Sequence, residues 1–407
     1  MTGLSHGQNS SDRQILYVAA FLRALSTGMV GVLIGIFLAR RGFIARDVGM
    51  VVSAGLMGAT VASVVVTLLG DQLGRRRVLV LLALLGAAGG LGTAILSELH
   101  AVVVAAFVGM VNGMGRDRGA SLILDQVILP ATAPDAERTT AFAWYSVVQD
   151  VGHALGGLIA GGTALLRHLS GLDDVGAARG MMLVYCVILL ATAGIYSRLS
   201  AATETEAVGV KAPVSPETKR VLWRIASLFA VDSVAGGFLT AALLSFYFFE
   251  RFGVSEGVVG ALFFGARVAN AASHLGAAWL AKRIGLLNTM VFTHIPSSLL
   301  LVTVALAPSF PVAACLFLLR EGLVEMDVPT RQSYVMGLVR PEERTLVSGV
   351  THLVRIGGWA MAPVFAGFLM QGTSIATPLF VGAGMKIAYD VLLYAAFRRQ
   401  RPPEERG

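Results

Sequence analysis

The chain is 407 residues long, 55% hydrophobic and only 14% charged, with a mean hydropathy of +0.72. Ordinary globular proteins carry roughly 25% charged residues, so this composition excludes a water-soluble domain and defines an integral membrane protein. The formal charge of +7 and a pI near 9.7 do not point to a nucleic acid, because Lys and Arg sit in short breaks between apolar runs rather than on one continuous face.

Residues 1–14 are polar, lack a cleavable-signal pattern and read as a cytoplasmic tail. Apolar runs long enough to cross a bilayer, about 20 residues each, follow near 15–39, 47–70, 77–97, 100–130, 138–165, 179–199, 221–249, 255–281, 286–308, 310–339, 345–371 and 377–398. They predict an all-α membrane protein of about twelve transmembrane helices. The polar stretch 200–220 is a linker between two six-helix bundles, 15–199 and 221–398, and 399–407 is a second cytoplasmic tail. Breaks on the tail side carry Arg75, Arg76, Arg77, Arg138, Lys211, Lys219, Arg220, Lys282, Arg283, Arg340 and Arg344. The opposite breaks carry fewer basic residues, with Arg40, Arg41 and Arg46 a local exception, so both termini are expected to be cytoplasmic. Cys186 and Cys315 stand alone in apolar runs and read as packing residues, with no metal-ligand spacing.

The two halves repeat. PDAERTTAFAWYSVVQDVGHALGGLIAG (134–161) aligns with RPEERTLVSGVTHLVRIGGWAMAPVFAG (340–367), matching Glu137 with Glu343, Arg138 with Arg344 and Gly161 with Gly367. The constant offset is 206 residues, and Gln126 and Gln332 share it. Parallel repeats of six helices imply two pseudo-symmetric bundles enclosing a central path.

The loop after the second span reads TLLGDQLGRRR, in which Thr67, Leu69, Gly70, Asp71, Gly74, Arg75 and Arg76 resemble the signature of the major facilitator superfamily. Thr67 and Gln72 depart from that signature, and the equivalent loop of the second half keeps Leu280 and Gly285 but has Lys282 at the acidic position. Asp71 can pair with a cation or a helix N-terminus, and Gly74 permits a tight turn. The resemblance implies a twelve-helix secondary transporter in which Asp71, Gly74, Arg75 and Arg76 form a latch of the outward-open state. In the fifth span Gly152, Gly156, Gly157, Ala160 and Gly161 resemble a glycine motif of antiporters, although such spacings also serve ordinary helix packing.

Charges at membrane depth cost at least about 2.5–3.5 kcal/mol each, so a retained cluster is a functional-site hypothesis. Arg116, Asp117 and Arg118 lie on the fourth span about 18–21 Å from its tail-side end at ~1.5 Å per residue, near the midplane. The same reckoning brings Asp150 and His153, Asp232, Arg267, Glu321, Glu325 and Lys386 to middle depth, with Arg23, His352, Arg355 and Asp390 nearer the tails. Arg320, Asp327 and Arg331 share a helix face, as do Arg118 with Asp125, and Arg267 with Asn270 and His274. Arg23, Arg116, Arg118, Arg267 and Arg320 are candidate substrate ligands, with Trp144 and Tyr145, and also Phe246 and Tyr247, as possible cavity-lining aromatics. Asp117, Asp150, His153, Asp232, Glu321 and Glu325 are candidates for proton coupling. Asp150 and His153, at i and i+3, could share a proton, and Glu321 and Glu325, one turn apart, would not both ionise easily in low dielectric. Asp125, Arg138, Arg331 and Arg344 read as gating or structural ion pairs near the helix ends, and Lys386 with Asp390 as a neutralised i, i+4 pair.

The expected function is a secondary transporter for a small polar, anionic solute, working by alternating access and coupled to protons. Several buried guanidinium groups favour an anion because each can grip carboxylate or phosphate at two points. The alternatives are an efflux pump for lipophilic drugs, which wants fewer charges, and a transport-dead scaffold. An embedded transferase lacks the necessary Asp-rich or Gly-Lys-Ser/Thr motif. No cofactor is expected beyond a transmembrane proton or ion gradient. The expected partners are the solute and the lipid bilayer, in a monomer of a bacterial inner (plasma) membrane.

Overall fold

The computed structural model describes residues 3–134, 137–204, 215–327, 330, 331, 334 and 344–398. The side chains of Asp71, Arg138 and Arg344, much of the linker (205–214) and the tail 399–407 lie outside the described residues. Twelve spans follow in order: Gly3–Arg40, Ala45–Leu73, Arg75–Ile95, Leu99–Val108 with Ala120–Ile128, Arg138–Ile159 with Gly162–Ser170, Asp174–Tyr196, Pro216–Gly237 with Ala241–Phe252, Glu256–Ile284, Leu286–Leu306, Phe310–Val324, Arg344–Gly372 and Thr377–Phe397. Among the described residues, nine helices are long and apolar enough to cross a membrane by length and composition.

The fourth span departs from the expected continuous helix. Between Val108 and Ala120 the chain carries Gly109, Gly113, Gly115 and Gly119 together with Asn112. Each glycine costs a helix about 1 kcal/mol relative to alanine, and the break falls where they cluster. The first half-helix ends with Met110 in the left-handed region at φ 50°, Met110 N–H donating to Phe107 and Val111 N–H to Ala106, a Schellman closure. Gly115 follows at φ 75°, a conformation that suits glycine. The exposed backbone is satisfied internally, as an apolar environment demands. Asn112 donates to the Arg116 carbonyl at 2.7 Å and accepts from Met114 N–H at 2.9 Å, and the Gly113 carbonyl accepts from Ala242 N–H at 2.9 Å. Left-handed backbone costs a non-glycine residue about 1–2 kcal/mol. Met110→Gly is therefore expected to leave the fold intact and raise its melting temperature, and a fall would show that Met110 packing outweighs backbone strain.

The tenth span also breaks, at the positions equivalent to the end of the fourth-span break: its first segment stops at Val324, Glu325 and Met326 form a turn, and helix resumes at Asp327. The seventh span breaks at Phe238–Thr240, where the Thr240 side chain accepts from Leu243 N–H and caps the second half.

On the side away from the termini one apolar core runs through both bundles, including Met29, Leu33, Phe37, Val52, Phe246, Tyr247, Phe248, Phe263 and Ala366. Phe246 and Tyr247 are thus packing residues there. Toward the tails the core splits in two, one around Leu16, Leu124, Tyr145 and Tyr196 in the first bundle and one around Ile225, Phe229, Tyr334 and Tyr389 in the second. Hydrogen bonds and ion pairs join the bundles on that far side and at the central charges. Arg40 of the first span bonds Glu256 of the eighth at 3.0 Å, Val364 N–H donates to the Ser53 hydroxyl at 2.9 Å, and Gly113 meets Ala242 as above. The far side is sealed, and the bundles part toward the tails.

Candidate functional site

The broken spans bring charges to the membrane centre on backbone that does not follow a helix. A cavity of about 140 Å³ is lined by Arg116 and Arg118 from the fourth-span break, with Asp232, Arg267, Arg320, Glu321, Glu325, Asp327, Arg331, Arg355 and Lys386 from the second bundle. Seven of these side chains are basic and four acidic. Phe263, Phe317 and Trp359 supply its apolar wall.

Arg116 spans the gap between bundles. Its guanidinium grips both oxygens of Glu325, at 2.7 and 2.9 Å, and donates to the Asn270 side-chain oxygen at 2.8 Å. Asn270 in turn donates to Glu321 at 2.7 Å, and Glu321 is paired with Arg320. Each of the two glutamates one turn apart thus has its own guanidinium partner. Arg118 stacks on the Trp359 ring with its guanidinium 5.0 Å from the centroid, and Arg355 approaches the same ring at 4.9 Å. Arg267 is an electrostatic neighbour of Arg116, Glu321, Glu325 and Asp150. Among the described residues neither Arg118 nor Arg267 has a carboxylate within ion-pair distance, in contrast to Arg116.

Arg23 sits elsewhere, inside the first bundle. It bonds Asp117 at 2.9 Å and Asp125 at 2.8 Å, donates to Tyr145 at 3.2 Å, and contacts the Tyr196 hydroxyl. Tyr145 and Tyr196 each donate to Asp125, at 2.8 and 3.1 Å. A smaller cavity of about 80 Å³ lies beside this knot, lined by Arg23, Asn112, Asp117 and Ser121 among others. Arg23 and Tyr145 thus face bundle-internal partners and not the central cavity.

Two of the expected pairings are corrected. His153 does not share a proton with Asp150: its Nε2 accepts the Asp117 backbone N–H at 2.7 Å, while Asp150 is exposed. Helical spacing brought the two side chains to one face, but the fourth-span break presents a free N–H that the imidazole takes up. Lys386 and Asp390 do not neutralise each other either. Lys386 donates to Asp232 at 3.0 Å and sits 3.3 Å from His294 Nε2, whereas Asp390 holds His294 Nδ1 at 3.0 Å. Arg331 bridges Asp232 at 3.4 Å and Asp327, so Arg331, like Asp125, is tied within its own bundle. Trp144, 59% exposed, lines no part of the central cavity.

At the loop after the second span, Gly74 makes its turn at φ 89°. The Glu204 carboxylate accepts from the backbone N–H groups of Arg75 and Arg76, at 2.7 and 3.1 Å, which stabilises the positive N-terminus of the third span. The Arg75 and Arg76 side chains reach the carbonyls of Thr203 and Leu199. In this conformation these two arginines clasp the end of their own bundle.

Sequence reasoning missed His294, Trp359, Glu204 and the Arg40–Glu256 pair. His294 was hidden as a lone imidazole in an apolar run, and the other partners come from spans far apart in the chain.

Two six-helix bundles, a midplane cavity of charged groups between them and helices broken at that depth are the architecture of a membrane transporter. The chain belongs to the Major Facilitator Superfamily, which it matches over residues 16–320 and 225–407. It is 24% identical to the uncharacterized membrane protein YJR124C of Saccharomyces cerevisiae, over 95% of this chain and 94% of the yeast protein. The crystal structure of the nucleoside transporter NupG superposes with a TM-score of 0.76 at 16% identity, covering 95% of this chain and 99% of NupG. The xylose transporter XylE from E. coli superposes with a TM-score of 0.71 at 12% identity, covering 98% and 100%. The protein is a multi-pass secondary transporter and not an enzyme.

Proposed function

We propose that the solute is a small anion and that its movement is coupled to protons. The observation that carries this reading is the pair Arg118 and Arg267, two guanidinium groups at the central cavity without a carboxylate partner within ion-pair distance among the described residues. A desolvated cation is costly unless something neutralises it, and an anionic solute would do so. Arg116 would join them once the solute competes with Glu325 for its fork. Glu321, Glu325, Asp232 and Asp150 supply carboxylates around the same charges, where a proton could offset the charge of the solute. The excess of basic residues on the tail side supports cytoplasmic termini, so the open side would be the cytoplasm and the sealed side the exterior.

A screen for thermal stabilisation of the purified protein by organic anions, inorganic phosphate, sugars, cations and drugs, followed by uptake into proteoliposomes, tests the proposal. A charge-assisted hydrogen bond is worth about 1.5–3 kcal/mol. At about 1.4 kcal/mol per tenfold, Arg267→Ala and Arg118→Ala should each weaken anion binding roughly 10- to 150-fold. Stabilisation by sugars or drugs but by no anion, or uptake indifferent to both substitutions, would overturn it.

A further inference from the structure

We infer that the buried pair His294 and Asp390 is a proton-binding site and that Lys386 keeps it closed until an anion enters the central cavity. The inference rests on the proposed anionic solute for its trigger, whereas the closed state follows from the geometry alone. Lys386 Nζ lies 3.3 Å from His294 Nε2. An ammonium group has three donors and no acceptor, so Nε2 must accept and carries no proton in this arrangement. A neutral imidazole has one N–H, which is then on Nδ1, and both Asp390 oxygens are placed to accept it at 3.0 Å. All three groups are buried.

The imidazole can gain a proton at Nε2 only if Lys386 withdraws. Lys386 also donates to Asp232 at 3.0 Å, and both line the central cavity. An anion entering among Arg118, Arg267 and Lys386 draws the ammonium toward itself, with its three protons unchanged. Nε2 then takes a proton from water, Nδ1–H stays on Asp390, and the result is an imidazolium paired with a carboxylate. The proton and the anion bind together, so each promotes the other.

The groups facing His294 are Asp390, Lys386 and Tyr389 from the twelfth span and Asp232 from the seventh. Asp232 is held in turn by Arg331 of the tenth span, itself paired with Asp327, and approached by Arg355 of the eleventh. Among the described residues no charged side chain of the eighth span bonds to His294.

The full-length protein labelled with ¹⁵N-histidine reports the ring directly, the His294 signal being assigned by its loss in His294→Gln. With no solute present, the wild-type signal should remain that of a neutral Nδ1–H ring across about pH 5–8, the range in which an ordinary histidine titrates. In Lys386→Met, with Asp390 and Asp232 intact, the same signal should convert to imidazolium within that range. An imidazolium in the unliganded wild type, or a ring that stays neutral in Lys386→Met, overturns the inference. Melting temperatures of both variants identify a failure to fold, and Lys386→Gln then serves as the second substitution.

In proteoliposomes filled with a pH dye and exposed to inorganic phosphate and to small mono- and dicarboxylates, wild type should carry protons with whichever anion enters. His294→Gln should exchange that anion while losing its proton flux at least about tenfold, and undiminished flux overturns the coupling. If no anion enters the wild-type vesicles, the anionic reading falls and the trigger with it, while the histidine signal still decides the closed site.

Discussion

Replacing Arg23 with alanine is expected to cost the first bundle about 3–5 kcal/mol, the usual result of removing one partner from a buried ion pair. Arg23 is 6% exposed and Asp125 fully buried, and the same guanidinium serves Asp117, Asp125, Tyr145 and Tyr196 from three other spans. Truncation leaves two carboxylates facing each other in a low-dielectric interior with only hydroxyl, amide and backbone donors. Lysine cannot span the same partners, because it offers a point charge and not a planar fork, so Arg23→Lys should recover little of the loss. Thermal unfolding in detergent measures both. Trp144→Ala, at an exposed position, should change stability by no more than about 0.5 kcal/mol. Arg23→Ala matching that control would mean the knot contributes nothing to stability.

The contrast between Arg23 and Arg267 explains what the sequence makes legible and what it hides. Both are arginines in apolar runs, and hydropathy identifies each as an intramembrane charge without saying what faces it. The spans, the half-chain repeat and the transporter resemblance follow from apolar run length and a constant offset, which are local or periodic properties. Partners are neither. Asp117 lies 94 residues from Arg23 and Asp390 lies 96 from His294, so each pair exists only once the bundle closes. The glycines of the fourth span were visible in the sequence, yet an apolar run of spanning length reads as continuous helix. What tips the balance is tertiary: Ala242 N–H and the His153 ring supply partners that let backbone at this depth leave the helix.

A bulky residue at Gly49 should have the second large effect, on the conformational equilibrium rather than on stability. Gly49 of the second span meets the eleventh so closely that an added Cβ would lie 2.4 Å from the Pro363 carbonyl oxygen and 3.0 Å from Gly367 Cα. These are backbone atoms and cannot turn aside, so Gly49→Leu must part the two spans at the far-side seam. In a single rigid fold that is overpacking, with a cost of about 1–3 kcal/mol. A transporter with two states has another way out, because a state open to the far side would separate these helices. The same 1–3 kcal/mol then favours that state by roughly 5- to 150-fold. A cysteine at Ser53, which holds Val364 across the seam at 2.9 Å, reports the shift once Cys186 and Cys315 are replaced by serine. Its alkylation by a membrane-impermeant reagent from the far side should rise in Gly49→Leu by at least about fivefold, with net transport falling and the melting temperature little changed. Unchanged labelling with a lowered melting temperature would mean that the seam is fixed packing and does not open during transport. The seam and the Arg116–Glu325 bridge would then have to be read as one rigid interface, with access changing only on the tail side.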